Sequence, residues 1–276
     1  MFEDKVIPLD TWVSQFVDWL VDNHRDIFQA LKWPVEKILN SFDTGLNALP
    51  PWLVIIVIAL LAWKFSGVRL ALFSLVTLTF VGLLGLWQET MTTLAMVLSA
   101  VVFCAVAGIP LGIAAGRSDR FQAGIRPILD AMQTTPAFVY LVPIVMLFSV
   151  GNVAGVLATI VFALPPIIRL TSLGIRQVHP ELVEAAQAFG ATRWQVLRRV
   201  QVPLAMPTIL AGLNQTIMMA LSMVVIAALI GAGGLGSPVI LGLNTLDIGR
   251  AVIGGLGIVL MAIVLDRITQ SMAQKK

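Results

Sequence analysis

Apolar residues in this chain come in long blocks, not in short alternating runs. Seven blocks stand out, at roughly 50–63, 70–87, 91–115, 131–150, 152–168, 207–230 and 251–265. A helix rises about 1.5 Å per residue and a bilayer core is about 30 Å thick, so about 20 apolar residues make one crossing. The pattern predicts about seven transmembrane helices. The fourth and fifth blocks share one uncharged stretch, 131–168, long enough for two short spans that meet at Gly151-Asn152. The first block is short, and Lys64 can lengthen it by snorkelling to the interface.

The segment ahead of the blocks, 1–48, has a different pattern. Val13, Phe16, Val17 and Leu20 share one helical face, edged by Trp12 and Trp19. Val35, Ile38, Leu39, Phe42 and Leu46 form a second stripe, and Pro34 stands between the two. This predicts two amphipathic helices in the membrane interface, with Trp12, Trp19 and Trp33 at headgroup level, forming a collar that braces the first span.

Composition agrees with this reading. The chain has 276 residues, 58% hydrophobic and only 12% charged, where a soluble domain carries about 25% charged residues. One cysteine, Cys104, excludes an intramolecular disulfide. Residues 1–10 are acidic and lack the basic-then-apolar layout of a cleaved signal.

Charge sets the orientation. Lys64, Arg69, Arg117, Arg120, Arg126, Arg169, Arg176, Arg193, Arg198, Arg199, Arg267, Lys275 and Lys276 all fall on one side of a seven-span arrangement. The other side holds the acidic 1–48 segment, Glu89, the Gly151 turn and the Asp247/Arg250 loop. Basic loops stay in the cytoplasm, so the C-terminus is expected inside and the N-terminus outside.

The longest cytoplasmic loop, 180–203, carries the most specific signal. Pro180 can open a helix without losing a needed N–H. Leu182, Ala185, Ala186 and Phe189 then present a small apolar face. Gly190 supplies a stop and Thr192 a cap for a second helix that carries Trp194, Val196, Leu197 and Val200 and ends at Pro203. A small-surfaced helix outside the membrane suits a groove in another protein.

This loop resembles the EAA signature of membrane subunits of ATP-binding-cassette importers. Glu184-Ala185-Ala186, three residues, Gly190, nine residues, Val200, one residue and Val202-Pro203 match its spacing, with Val202 in place of the usual leucine. Three further stretches are similar to permeases for glycine betaine and related quaternary amines. They are 130–143 (Asp130 to Pro143), 162–169 (Phe162 to Arg169), and Pro203 through Asn214-Gln215-Thr216 to Ala227. The resemblance implies an all-α polytopic membrane protein of the type I ABC importer permease fold, with external interfacial helices (1–48) and a permease domain (49–276). It implies a homodimer in the bacterial inner membrane, two cytoplasmic ATP-binding-cassette subunits and a separate extracytoplasmic solute-binding protein. ATP and Mg would bind the partner subunit, with no catalytic residue, cofactor or nucleic acid for this chain. The implied cargo is glycine betaine, proline betaine, choline, carnitine or trimethylamine N-oxide. Glu184, Ala185, Ala186, Phe189, Gly190 and Ala191 would couple to the ATPase.

A pathway for a zwitterion should be polar and nearly uncharged. Asn214, Thr216 and Ser222, with Met218 and Met219 interleaved, are the first candidates, and Thr135 and Tyr140 the second. Pro110, Pro143, Pro165-Pro166 and Gly212 are candidate points of slack in the spans. Packing across helices is the alternative for all of these. Gly231 to Gly236 matches GxGxxG but follows a membrane helix, so a flexible external turn is expected, not a nucleotide site. His24 and His179 lack metal-spaced partners. The rival class is an ion-coupled secondary transporter of small zwitterions. Proton coupling would call for an ionisable residue inside the spans, and the seven blocks contain none.

Overall fold

The computed structural model describes residues 8–274; the first acidic residues and Lys275-Lys276 lie outside the described residues. The described chain is helical. It runs α1 (Leu9–Ala48), α2 (Pro51–Ser66), α3 (Val68–Leu83), α4 (Trp87–Arg117), α5 (Asp119–Thr134), a 3₁₀ turn (Ala137–Tyr140), α6 (Leu141–Phe148) and α7 (Asn152–Arg176). It continues with α8 (Pro180–Ala188), α9 (Arg193–Val196), α10 (Val202–Ala227), α11 (Gly236–Thr245) and α12 (Ile248–Gln274). Each of the seven apolar blocks falls on helix. By length and composition four helical stretches can cross a bilayer on their own, or up to six if each of two bent pairs is one span.

The centre is α4, α7 and α10. Glycines let their backbones approach. On α4, a Cβ at Gly108 would lie 2.3 Å from Ile167 Cγ2, at Gly112 2.5 Å from Thr171 Cβ, and at Gly116 2.8 Å from Ile175 Cβ. On α10, a Cβ at Gly212 would lie 3.0 Å from Leu170 Cβ. Apolar lipid supplies little drive to bring helices together, so such small-residue seams let close packing do it. Gly212 is thus a packing contact and not a point of slack. Pro165 and Pro166 are buried within a continuous α7, and Pro143 lies in the first turn of α6.

Three expectations need correction. The described part of the 1–48 segment, Leu9–Ala48, is two helical pieces as expected, but the kink between them falls at His24 (φ −127°, ψ 22°) and not at Pro34, which lies inside the second piece. Its second stripe does not brace the first span. Val35 and Leu39 are buried in the core, Asp43 accepts a 3.0 Å hydrogen bond from Thr92 on α4, and Phe28 meets Phe148 of α6 edge-on. The first stripe, with Trp12, Phe16 and Trp19, stays exposed.

The fourth block is not one straight span. Residues up to Thr134 belong to amphipathic α5, which bends by 104° into the 3₁₀–α6 segment. Pro136 causes the break by forcing Thr135 into an extended conformation (ψ 127°). The third correction is at Pro203. It does not end a helix, because 193–230 is one continuous helical stretch. Proline has no N–H to give and its ring crowds the carbonyl four residues back. The preceding turn, Leu197–Gln201, widens to a π-helix, with Val202 N–H bonded to Leu197 O.

The hairpin α2–α3 turns at Gly67 (φ +94°) and packs on α12 through Ala62, Val264 and Ile268.

Candidate functional site

The chain presents its 180–203 loop at one end of the bundle. Pro180 occupies the first turn of α8. The helix stops where Gly190 turns left-handed (φ +80°), and Ala191 N–H returns to Ala186 O at 3.0 Å while Phe189 N–H bonds Ala185 O at 3.1 Å. Two carbonyls of the helix end are thereby satisfied. Thr192 then starts α9 with a capping box. Its hydroxyl accepts from Gln195 N–H at 3.3 Å, and Gln195 Oε1 accepts from Thr192 N–H at 2.8 Å.

The result is a stiff knob with an unfilled surface. Glu184 and Ala185 are exposed, Ala186 and Ala191 half-buried, and Phe189 is 93% exposed. Trp194 beside it is also exposed. A phenyl ring almost wholly in solvent next to small side chains fits a contact surface. Nothing lies within 4 Å of a Cβ built on Gly190, so only its φ restricts the position within this chain. The second half of the knob runs without interruption into α10, so the exposed surface and a core membrane helix are one rod.

The candidate pathway residues do not share a face. Met218 and Ser222 lie exposed on α10, with Gln215 on the same stripe; Ser222 donates to Met218 O at 3.1 Å. Met219 is half-buried, packed against the core. Thr216 is fully buried and its hydroxyl has no partner. Asn214 points to α12, donating to Asp266 Oδ1 at 3.0 Å and accepting from Thr269 Oγ1. Gln270 also donates to Asp266, at 2.8 Å. Asp266 lies one residue past the last predicted block. Its 266/269/270 spacing on one helical face was the available signal for this clasp. Thr135 donates to Ala131 O at 2.8 Å, and Tyr140 OH donates to Met132 O at 2.7 Å. Both seal the end of α5, and Tyr140 spans its bend.

The GxGxxG turn is pinned, which corrects the expectation of a flexible loop. Leu235 N–H donates to Thr93 Oγ1 at 2.8 Å, Gly233 N–H to Asn152 Oδ1 at 2.6 Å, and Gly151 N–H to Ile230 O at 3.1 Å. These bonds lock the start of α4 and of α7 to the end of α10. They mark the end of the bundle opposite the knob, where α1 also packs. At the knob end Arg176 bonds Asp119 at 2.6 Å and Ala115 O at 2.8 Å, and Arg169 bonds Asp130 at 2.6 Å, so α5 is pinned along α7.

Residues 108–276 match the family model described as "Binding-protein-dependent transport system inner membrane component". The chain is 56% identical over 273 residues to the glycine betaine/proline betaine transport system permease protein ProW of Escherichia coli (strain K12), covering 99% of this chain and 77% of that one. It is 47% identical over 270 residues to the glycine betaine transport system permease protein OpuAB of Bacillus subtilis (strain 168), covering 98% and 96%. Among solved structures, a chain of the MetNI methionine ABC transporter in an inward-facing conformation superposes with a TM-score of 0.61 at 22% identity, over 71% of this chain and 96% of that chain. That likeness concerns the fold.

Proposed function

Because the chain belongs to the family of binding-protein-dependent transport system inner membrane components, we propose that it is the membrane subunit of an ATP-driven importer of glycine betaine or a closely related methylated-ammonium solute. The observation that carries this reading is the exposed Glu184–Ala191 knob, built as one rod with α10. Two copies of the chain would enclose the pathway, two ATP-binding-cassette subunits would bind ATP and Mg in the cytoplasm, and a solute-binding protein would deliver cargo from outside. The knob end faces the cytoplasm and α1 faces out, following the basic residues.

Hydrolysis takes place on the partner subunits. When they close, the groove that holds Ala185, Ala186 and Phe189 moves, and the knob moves with it. The 193–230 rod carries that motion into the core, where the Asn214–Asp266–Thr269 clasp passes it to α12. The exposed Met218/Ser222 stripe, with Gln215, faces the second copy and the cargo. A thioether is soft and polarizable and suits a methylated ammonium, and the hydroxyl and amide suit its carboxylate. Asn214 and Thr216 act in packing, and Thr135 and Tyr140 in holding the α5 bend.

The test is assembly and coupling. A tagged chain should bring down its ATPase, and hydrolysis should rise when glycine betaine-loaded binding protein is added. Gly190→Leu should leave the chain abundant and inserted, cost about 1 kcal/mol in the loop, and abolish that stimulation. Full stimulation in Gly190→Leu would overturn the knob as the joint.

A further inference from the structure

A cavity lies at the end of the bundle away from the knob, between the α3–α4 junction and the α11–α12 hairpin. Its volume is about 670 Å³, within the range of about 300–1,000 Å³ usual for small-molecule sites. Three charged residues line it, Glu89, Asp247 and Arg250. Glu89, in the first turn of α4, has its Oε2 fully removed from solvent and unbonded. Arg250, in the first turn of α12, is exposed at the cavity mouth; its backbone N–H donates to Asp247 Oδ1 at 3.0 Å, and its guanidinium has no hydrogen bond or ion pair among the described residues. The second carboxylate in the wall, Asp247, is exposed and accepts that one capping bond through Oδ1. The rest of the lining is largely apolar, with Leu86, Pro238, Leu241 and Ile253 among its members.

A carboxylate oxygen out of water without a partner is costly, and so is retained where a ligand completes it. A carboxylate and a guanidinium in the wall of one largely apolar cavity are complementary to a molecule with a cationic and an anionic end. A methylated ammonium has no N–H to donate, so it needs charge beside it and apolar walls around its methyl groups. Its carboxylate or phosphate needs the planar fork of an arginine. We infer that this cavity is a binding site for a compact zwitterion, with Glu89 facing the ammonium end and Arg250 the anionic end. Where the zwitterion is free solute the site rests on the import reading above, and it stands as a place where cargo pauses on the external face of this subunit. The same chemistry is offered by a zwitterionic lipid headgroup.

The experiment uses the complex of this chain with its ATPase, without binding protein, in nanodiscs of phosphatidylglycerol alone. Radiolabelled glycine betaine should bind saturably, and Glu89→Gln, Arg250→Gln and the double variant should each weaken binding by about tenfold or more. A second arm uses discs that contain phosphatidylethanolamine and measures lipid retained by the purified complex. Retention by the parent and loss in both single variants, without betaine binding, assigns the site to a headgroup. Parent and variants alike in both arms overturn the site. A third arm adds binding protein and ATP. Uptake by the parent with variants alike in the first two arms leaves the import reading standing and removes the cavity. Variant-sensitive binding with no uptake of any methylated amine by the parent does the reverse.

Discussion

Gly112 and Gly190 are both glycines for reasons that differ in kind. Gly112 is a matter of space, since a Cβ there would lie 2.5 Å from Thr171 Cβ and 2.8 Å from Ile168 O. Gly190 is a matter of dihedral angle, with φ +80° and open space around it. Gly112→Leu should therefore weaken the fold, by about 1–3 kcal/mol or more for an overpacked site, seen as a lower unfolding midpoint in detergent. Gly190→Leu should move that midpoint less, by the strain of about 1 kcal/mol at its positive φ, and should act chiefly on coupling. The role of Gly190 as a helix stop is readable from its place after Glu184-Ala185-Ala186 and before Thr192. The role of Gly108, Gly112 and Gly116 is not, because a four-residue glycine repeat says that a partner comes close and not which helix it is. For the same reason Asn214 reads as a pathway residue in a linear string. Its partner Asp266 lies 52 positions away and just past the end of an apolar block.

At the scale of elements, hydrophobic blocks locate helices well and joints badly. All seven blocks fall on helix, the fourth with a break at Thr135-Pro136, and the described part of the N-terminal segment is helical as its two stripes require. The joints depend on single backbone events. Pro136 bends the chain because of what it does to Thr135, whereas Pro203 widens one turn and lets the helix pass. Both are prolines beside apolar runs, so the residue type alone does not decide the outcome. The continuity at Pro203 carries a mechanical consequence. Two glycines inserted between Gln201 and Val202 would each cost about 1 kcal/mol in helix propensity and would put slack between knob and span. Hydrolysis stimulated by loaded binding protein should then persist in part while uptake falls to a small fraction. Equal loss of both would argue that the rod is not what joins them.

Across the whole molecule, the two ends have different jobs. One end carries the knob, the α5 arm and ten arginines and lysines between Lys64 and Arg199. The other carries α1, the pinned glycine turn and the α11–α12 hairpin. A cysteine at Thr44 should react with an impermeant thiol reagent added outside intact cells, and one at Gln187 only after the membrane is opened. The reverse pattern would invert the orientation. The family and the two-ended layout were legible in the sequence because the EAA spacing and the basic residues are linear signals. The shared cavity of Glu89 and Arg250 was not, because only the fold brings residues 161 positions apart in sequence together.

In the proposed importer, ATP bound by partner subunits drives a methylated amine through this chain. The most direct measurement is uptake of radiolabelled glycine betaine into sealed proteoliposomes that hold the chain with its ATPase, with binding protein outside and ATP within. Uptake should require the enclosed ATP and continue when an uncoupler collapses the proton gradient. Uptake by the chain alone, driven by an ion gradient and indifferent to ATP, would contradict the account.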